Sequence, residues 1–478
     1  MKKNLLLAAS VLAFGLTACV QPATSPTPTA TEQDTAMPNP AAVYCEAQGY
    51  AVEIRTDENG GQYGVCIFPD GRECDEWAYY RGECGPGASL TLTAVATALA
   101  PTETLAPTPT TMSTVPTPAS TGTWSRAFEG SDYGAFFDIA LTQDGNVFAV
   151  GTTNHLHVPP YSGDALFMKL TLAGDVLWKR TWGGEGYEQA WSVAPAGDGG
   201  YYIFGETDSY GAGNRDFFLL KTLEDGAEDW FRTYGRSRRE WPYGMLPLSN
   251  RELLIYGFTE SVGGGRDEYA IRVAQDGDIV WEFTVGNPGE ELVLDALETS
   301  EGDLVLAVAV EEDSKLVKLD ANGNVQWTKR YELAGWQFAS QIAQTADGGF
   351  LLAGFSMSSG SRRQADTWLA RGTSAGELEW ETSFGEPASD DYAQSLIRLD
   401  DGTYLIGGLG NGMLLTRIDD GGSILWRRSL AGQAVHGAEA LIELEDRGYL
   451  VAGFIQLVNG RSYDAILLRT DAEGRVGE

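Results

Sequence analysis

Residue types that carry metal and thiol chemistry are scarce in this sequence. It contains three histidines among 478 residues, His155, His157 and His436, and five cysteines, all within the first 84 positions. Thiol chemistry is therefore excluded from the residues after Cys84. His155 and His157 can lie on one side of an extended strand, but no third ligand can be identified, so we expect a loop there rather than a metal site. The sequence predicts neither a bound metal nor a cofactor.

Positive charge is also in short supply. Lys and Arg number 33 against 67 Asp and Glu, which gives a formal net charge of −34. Such a charge disfavours duplex nucleic acid and anionic membrane surfaces as direct partners. Arg236, Arg238 and Arg239 form one local basic loop in this acidic background. This loop can grip an anionic ligand, but balancing nearby carboxylates is the simpler interpretation.

Several sequence motifs of enzymes are missing. There is no Gly-x-Ser-x-Gly elbow, no His-Glu-x-x-His, no phosphate-binding loop and no EF-hand. Acidic residues are too plentiful for a pair of glycosidase carboxylates to be chosen from their spacing. The sequence therefore predicts no catalytic residue.

The chain begins with a short apolar run. Residues 5–16 follow Lys2 and Lys3, and they are too few for a stable membrane span. The run ends in Leu-Thr-Ala-Cys at 16–19, which resembles the lipobox of bacterial lipoproteins. The resemblance implies a signal peptide over residues 1–18, cleavage before Cys19 and acylation of that cysteine, which would be the only membrane contact. The alternative is an ordinary cleaved signal with a free cysteine.

Two segments are rich in proline and threonine, residues 19–38 and 87–122. They hold too few large apolar side chains to bury a core, so we predict extended tethers. The domain between them, residues 39–86, and the domain after them, residues 123–478, are expected to fold separately.

Residues 39–86 predict a small α+β domain. Asn39 and Pro40 are typical of a helix start, and Asn59-Gly60-Gly61 is typical of a hairpin turn. So short a segment builds only a small core, and an exported chain favours disulfides among its remaining cysteines. These are Cys45, Cys66, Cys74 and Cys84. Symmetry about the turn at 69–71 suggests Cys66–Cys74 and Cys45–Cys84, although three connectivities are possible and a zinc site is a less favoured alternative.

The same segment closely resembles a small bacterial family of unknown function, DUF333, sometimes labelled a haemolysin. The matching residues are NPAAVYC at 39–45, GQYGVCIFPDGRECDEWAYY at 61–80 and GEC at 82–84. The resemblance covers the small domain only.

The rest of the chain repeats a unit of about 50 residues. Its markers are an acid and, 14 positions later in most units, a tryptophan. The tryptophans are Trp124, Trp178, Trp230, Trp281, Trp327, Trp380 and Trp426, and the acids are Asp164, Asp216, Asp267, Asp313, Asp366 and Asp464. Each unit holds four β-like runs joined by Asp-Gly, Asn-Gly or similar turns. The pattern predicts a mainly β fold: a seven-bladed β-propeller in which residues 123–128 supply the strand that the last unit lacks.

These repeats resemble the SBBP-type repeats of exported bacterial proteins and, more loosely, quinoprotein propellers. The carrying residues are GETDSYGAGNRDFFLLKTLEDGAEDWFRTYG at 205–235, GFTESVGGGRDEYAIRVAQDGDIVWEFTVG at 257–286 and GFSMSSGSRRQADTWLARGTSAGELEWETSFG at 354–385. The quinoprotein resemblance implies that a Gly-x3-Trp element, such as Gly226 and Trp230, joins neighbouring blades. It transfers no cofactor residue.

Aromatic residues that break the repeat are the candidates for ligand contact, although packing is the more common role for such residues. They are Trp182, Trp191, Trp241, Tyr243, Trp336 and Tyr392. The recurring acids should form a ring that either holds a cation or, more simply, closes loops by accepting backbone N–H bonds.

The sequence thus suggests a lipid-anchored protein of the cell membrane or outer surface, monomeric, whose propeller binds a protein or glycan without catalysis. The alternative is an exported hydrolase or lyase that acts on polysaccharide with carboxylates at the mouth of the propeller channel.

Overall fold

The computed structural model describes residues 45, 50–56, 62–68, 72–75, 122–128, 134–153, 163–262, 264–286, 289–332, 335–357, 364–386, 389–430, 435–456 and 463–477. Within these ranges no helix is long and apolar enough to cross a membrane. The predicted signal peptide, Cys19 and nearly all of both tethers lie outside the described residues. The described residues fall in two compact units, which are treated separately below.

The smaller unit contains a three-stranded antiparallel sheet in the order β1-β2-β3. Its strands are β1 (Ala51–Thr56), β2 (Gln62–Ile67) and β3 (Glu73–Asp75). The hairpin expected around residues 59–61 is present, because β1 and β2 pair from Thr56 opposite Gln62 onward. Cys45 is helical, and the rest of the predicted helix lies outside the described residues.

The suggested disulfide pairing is wrong. Cys45 is bonded to Cys66, with 6.0 Å between their Cα atoms. Cys74 is also disulfide-bonded, and Cys84 lies outside the described residues. Cys66 and Cys74 do face each other across β2 and β3, as the turn symmetry implied. However, a bond between them would join strands that backbone hydrogen bonds already hold, whereas the observed bond ties the segment before the sheet to its central strand.

The larger unit is built from four-stranded antiparallel sheets, seven of them among the described residues. It begins with β4 (Trp124–Phe128), which is used only in the last sheet. Sheet I contains β5 (Ala135–Leu141), β6 (Val147–Thr152), β7 (Ala165–Leu170) and β8 (Val176–Trp182). Sheet II contains β9 (Glu188–Pro195), β10 (Tyr201–Thr207), β11 (Asp216–Thr222) and β12 (Glu228–Tyr234). Sheet III contains β13 (Glu240–Pro247), β14 (Leu253–Thr259), β15 (Asp267–Val273) and β16 (Ile279–Val285).

The remaining sheets repeat the same plan. Sheet IV contains β17 (Glu291–Glu298), β18 (Leu304–Val310), β19 (Asp313–Leu319) and β20 (Val325–Tyr331). Sheet V contains β21 (Trp336–Gln344), β22 (Phe350–Met357), β23 (Ala365–Gly372) and β24 (Leu378–Phe384). Sheet VI contains β25 (Tyr392–Arg398), β26 (Tyr404–Gly410), β27 (Gly412–Ile418) and β28 (Ile424–Ser429). Sheet VII contains β29 (Val435–Glu443), β30 (Tyr449–Gln456), β31 (Tyr463–Arg469) and, at its edge, β4.

Burial within a sheet follows strand order. In sheet II every residue of β10 and β11 is buried, whereas the outer strand β12 is mostly exposed or half-buried. Continuous apolar strands are expected where both faces of a sheet are covered by neighbours. The mainly β fold is therefore confirmed, and the hydrophobic core lies between consecutive sheets.

The repeat tryptophans join consecutive sheets. Each one packs against the turn glycine of the next sheet, as Trp178 does against Gly226. That glycine has φ +77°, in the left-handed region, and a Cβ on it would lie 2.4 Å from the indole, so only glycine fits. The other pairs are Trp124 with Gly174, Trp230 with Gly277, Trp281 with Gly323, Trp327 with Gly376, Trp380 with Gly422 and Trp426 with Gly474. The joining role implied for the Gly-x3-Trp element is confirmed, and Gly474 adds a member that has no tryptophan of its own.

Strand β4 carries the N-terminal end of the unit into sheet VII. It pairs antiparallel with β31, from Ala465 opposite Phe128 to Arg469 opposite Trp124. The indole nitrogen of Trp124 donates a hydrogen bond of 3.1 Å to the carbonyl of Leu172 in the turn between β7 and β8. One hydrophobic cluster also contains side chains of sheets VII and I together. Sheet VII therefore packs on sheet I.

Candidate functional site

The first strand of every four-stranded sheet has a β-bulge near its start. In β9, for example, Ala190 and Ser192 pair with consecutive residues of β10, which leaves Trp191 unpaired. A bulge redirects a side chain that regular pairing would place elsewhere. The residues left over in this way are Phe137, Trp191, Tyr243, Leu294, Ser340, Gln394 and, in β29, Gly437 and Glu439.

The bulged side chains from all seven sheets meet around one small cavity of about 80 Å³. It is lined by Phe137, Trp191, Tyr243, Leu294, Ser340, Gln341, Gln394 and Glu439. Sheets I to IV supply its apolar side and sheets V to VII its polar side. The volume suits a few water molecules rather than a small-molecule substrate.

Glu439 and Gln394 form the polar side of this cavity, which we call the axial cavity. The amide nitrogen of Gln394 donates a hydrogen bond of 2.6 Å to Glu439 Oε1. Burial raises the pKa of Glu439 to about 8, so its carboxyl is mostly protonated at neutral pH. The side-chain oxygen of Gln394 is buried without a hydrogen-bond donor. The polar side of the cavity thus carries almost no net charge.

Two further half-buried acids near the cavity have structural roles. Asp138 Oδ2 accepts hydrogen bonds of 2.9 Å from the hydroxyl of Ser192 and the backbone N–H of Val193, in the next sheet. Asp295 is placed equivalently and accepts from the backbone N–H of Ile342 at 2.8 Å. Burial raises the pKa of both Asp138 and Asp295 to about 6. Each carboxyl thus ties two first strands together.

Five of the six predicted ligand-contact aromatics come together at one end of the axial cavity, where the first strands begin. Trp191 packs edge-on against Trp241, with 5.9 Å between ring centroids. Trp241, Tyr243, Trp336 and Tyr392 are partly buried around one further hydrophobic cluster. We call this end the mouth. It consists of these five aromatic residues and the arginines beside them.

Trp182 lies apart from the mouth. It packs against Phe218 and Phe231 of sheet II, and its indole nitrogen donates a hydrogen bond of 2.7 Å to Glu228. It lines a separate groove of about 410 Å³ between sheets I and II, together with residues such as Arg180. The structure therefore does not group Trp182 with the other candidates.

Arginines surround Trp241 at the mouth. The guanidinium carbon of Arg239 lies 4.2 Å from the centroid of the Trp241 ring, and that of Arg215 lies 5.5 Å from it. Arg215 pairs with Glu206 at 3.1 Å and with Asp208 at 3.0 Å. These distances place two cations on a single indole ring, which is a favourable cation–π arrangement.

The arginines of the basic loop differ in their contacts. Arg236 pairs with Glu282 at 3.0 Å, so for Arg236 the carboxylate-balancing interpretation is confirmed. Arg239 makes neither an ion pair nor a side-chain hydrogen bond with any described residue, and only the charges of Glu206 and Glu260, at longer range, balance it. Sequence reasoning also missed Arg215 and the axial pair Gln394 and Glu439. The only sequence feature that marks these residues is that they depart from the repeat near the start of a strand.

Some of the recurring acids lie beside an acid of the next sheet. Asp216 Oδ2 accepts a hydrogen bond of 2.9 Å from the backbone N–H of Gly213, the loop-closing role expected of it. Asp216 and Glu240 of the next sheet lie together beside Gly235, and burial raises the pKa of both carboxyls. Burial, and then the charge of Glu188, likewise raises the pKa of Asp164. Such repeated pairs, buried between sheets, are typical of packing rather than catalysis.

Metal-binding candidates are not found in the described part of the chain. No group of three or more His, Cys, Asp or Glu side chains there is arranged to hold an ion. His155 and His157 lie outside the described residues, as does the side chain of His436.

Two family models match the chain. The description of the first is outer membrane protein assembly factor BamB, and it matches residues 171–452. The second is a domain of unknown function, DUF333, and it matches residues 36–83. The DUF333 resemblance is thereby confirmed, and the first match supports a β-propeller.

Individual proteins are similar over part or most of the chain. An uncharacterized protein from Archaeoglobus fulgidus is 45% identical over 47 residues, which cover 10% of this chain and 22% of that protein. The chain thus spans less than a quarter of this relative's length. The crystal structure of BamB from Moraxella catarrhalis is 13% identical, with 72% of this chain and 98% of that chain covered and a TM-score of 0.39. The Neurospora crassa Pan2 WD40 domain is 10% identical, with coverage of 75% and 99% and a TM-score of 0.46.

Proposed function

Because the chain belongs to the family described as outer membrane protein assembly factor BamB, we propose that it is a cell-envelope protein whose propeller binds other proteins and has no catalytic role. The mouth is the observation that supports this most directly. Aromatic and arginine side chains are enriched in the binding surfaces of proteins, and here they gather at one end of the unit. The cavity beneath them measures only about 80 Å³, so a partner would bind across the mouth rather than inside the cavity.

We propose that the seven four-stranded sheets are the blades of one closed propeller. The packing of Trp124 on Gly174 repeats the contact that every other pair of consecutive sheets makes. Pairing of β4 with β31 also covers an edge that would otherwise invite aggregation. A closed ring presents its mouth rigidly, which lowers the entropy lost when a partner binds.

The proposed arrangement in the envelope follows from the chain order. Residues 1–18 direct export, an acylated Cys19 anchors the chain, and the segments 19–38 and 87–122 are tethers. The small domain of residues 39–86 and the propeller of residues 123–478 stand away from the membrane. The matched family's description supports an envelope location, and the lipobox-like residues 16–19 support the anchor.

A polysaccharide hydrolase or lyase is the second candidate, and the site gives it less support. Such an enzyme needs two carboxyls in a cleft that the substrate can enter. Asp216 and Glu240 are close together with raised pKa values, but both are fully buried between sheets. The cavity that Glu439 lines is too small to hold a chain of sugar residues. Glycan binding without catalysis would place sugars on the mouth aromatics.

Site-specific photo-crosslinking in the native cells tests the platform. A crosslinking amino acid replaces Trp336 or Tyr392 at the mouth, and in a matched control it replaces Val325, which is 51% exposed on the outer strand β20. We expect discrete protein adducts from the mouth positions and none from the control. Equal adducts from all three positions, or none from the mouth, would refute the platform. A glycan array on the purified chain tests the glycan alternative.

Metabolic labelling tests the anchor. A radiolabelled fatty acid should be incorporated into the chain and should be lost in Cys19→Ala. Labelling that persists in the variant would place the lipid elsewhere, and an unlabelled wild-type chain would favour an ordinary cleaved signal.

A further inference from the structure

Arg239 is a half-buried cation without an internal partner. It directly precedes β13, stacks on Trp241 at 4.2 Å and makes no ion pair with a carboxylate of the described residues. Its Nε is buried and has no hydrogen-bond acceptor. A buried donor that is left unsatisfied is costly, so its persistence here requires an explanation.

The carboxylates near Arg239 are already engaged by other arginines. Glu206 and Asp208 hold Arg215, and Glu260 lies 3.7 Å from Arg266. Burial lowers the pKa of Arg239, and the charges of Arg215 and Arg266 lower it further, while Glu206 and Glu260 raise it. Arg215 and Arg266 are thus each paired with two carboxylates, and Arg239 is the arginine beside them that makes no ion pair with a described residue.

Donors exceed acceptors around Trp241. Besides Arg239 Nε, the indole nitrogen of Trp191 and the amide nitrogen of Gln189 are buried without an acceptor. Gln189 is linked to the same group, because its side-chain oxygen accepts a hydrogen bond from Tyr187, whose ring lies 5.1 Å from the Arg215 guanidinium. One buried acceptor, Glu206 Oε1, also has no partner. These donors are enclosed, so an incoming group meets only the outer guanidinium nitrogens of Arg239, and such a cation binds acceptor oxygens.

We propose that Arg239 and Trp241 form a carboxylate-binding site at the mouth, and that it takes an acidic segment of a partner polypeptide. This inference rests on the proposed platform function and names the chemistry of the partner. Stacking on Trp241 holds the guanidinium plane, and its two outer nitrogens can bind a carboxylate through two parallel hydrogen bonds. Trp336 and Tyr392 pack on the same hydrophobic cluster as Trp241 and can cover apolar side chains near the acid.

A peptide fits this site better than a free small anion does. The mouth aromatics extend over several sheets, and an extended chain can lie across them with one acid at Arg239. A phosphate group offers similar acceptor oxygens, so inorganic phosphate serves as the competing probe.

The test uses the full chain and a fluorescently labelled, end-capped peptide of alternating glutamate and leucine, with binding followed by fluorescence anisotropy. We expect saturable binding that weakens about tenfold or more in Arg239→Gln, because a charge-assisted hydrogen bond is lost. Arg239→Lys should weaken binding nearly as much, since lysine lacks the planar edge. Arg238→Gln removes the same charge one residue away and should bind as the wild type does.

Other results would overturn the inference. Equal weakening in Arg238→Gln and Arg239→Gln would indicate non-specific charge attraction. A glutamine-leucine peptide that binds as tightly as the glutamate peptide would exclude carboxylate recognition. Competition by inorganic phosphate alone, without peptide binding, would replace the peptide with a small anion. Trp241→Phe, which keeps a ring under Arg239, provides a second variant should Arg239→Gln fail to fold, and it should weaken binding less than Arg239→Gln does.

The peptide-binding and crosslinking experiments together distinguish the carboxylate site from the proposed platform function. Peptide binding that depends on Arg239, without crosslinked proteins at the mouth in cells, would keep the carboxylate site and refute the platform. Crosslinked proteins at the mouth that are unaffected by Arg239→Gln, without peptide binding, would keep the platform and refute this site.

Discussion

Substitution of Gly226 by alanine tests how the sheets are joined. Gly226 has φ +77°, and a Cβ built there would lie 2.4 Å from Trp178 Cη2 and 2.7 Å from Trp178 Cζ3. The left-handed conformation costs an alanine about 1–2 kcal/mol. Displacing the rigid indole adds an overpacking cost of about 1–3 kcal/mol. We therefore expect Gly226→Ala to lower the free energy of unfolding by about 2–5 kcal/mol.

Gly145 provides the matched control. It has φ +74° in the corresponding kind of tight turn, but a Cβ there would meet no atom within 4 Å. Gly145→Ala should therefore carry the conformational cost alone, about 1–2 kcal/mol. Urea denaturation of both variants and the wild type, followed by circular dichroism, measures the difference as a shift in midpoint at constant slope.

A double substitution isolates the contact itself. In a Trp178→Ala background a Cβ at residue 226 would meet only the flexible side chain of Arg180, at 3.1 Å, so Gly226→Ala should cost little more than Gly145→Ala does. If Gly226→Ala and Gly145→Ala are equally costly in the wild-type background, the indole does not constrain the turn. The account of how consecutive sheets join would then be wrong.

Three further predictions concern the cavity, the β4 strand and the small domain. Because burial raises the pKa of Glu439 to about 8, the folded chain retains a proton that the unfolded chain releases near pH 4. Its contribution to stability is therefore full below that pH and lost as the pH rises through about 8, and Glu439→Gln should lose less stability than the wild type between about pH 4.5 and about pH 8 in urea denaturation. An equal loss would contradict this assignment. Trp124→Ala should cost about 3 kcal/mol, close to the cost of Trp178→Ala, if β4 completes sheet VII as an integral strand, and a negligible cost would show that it does not. Peptide mapping without reduction should recover Cys45 linked to Cys66, and recovery of a Cys66–Cys74 link would contradict the structure.

The repeat made much of the fold predictable. Spacing of the tryptophans and of the Asp-Gly turns identified four strands per unit, and the structure has four-stranded sheets at those positions. The missing final tryptophan pointed to residues 123–128, which the structure pairs with β31. These features depend on contacts within a unit or between consecutive units, so one period of sequence contains the information.

The mouth could be predicted only in part. Aromatic departures from the repeat identified Trp191, Trp241, Tyr243, Trp336 and Tyr392, but nothing in their spacing showed that they converge, and Trp182 was chosen by the same reasoning although it lies elsewhere. Arg239 could not be told apart from the other arginines of its loop, because whether a cation finds a direct carboxylate partner depends on which side chains from other sheets already occupy the available acids.

By itself, then, the sequence determined the strands, their order and the turn chemistry, because hydrogen bonding and hydrophobic alternation act over short distances along the chain. Only the tertiary structure decided which residues line the axial cavity. The bulges turn one side chain from each first strand inward, and these residues lie far apart in the sequence. Their charges, buried donors and cavity exist only once the sheets surround them.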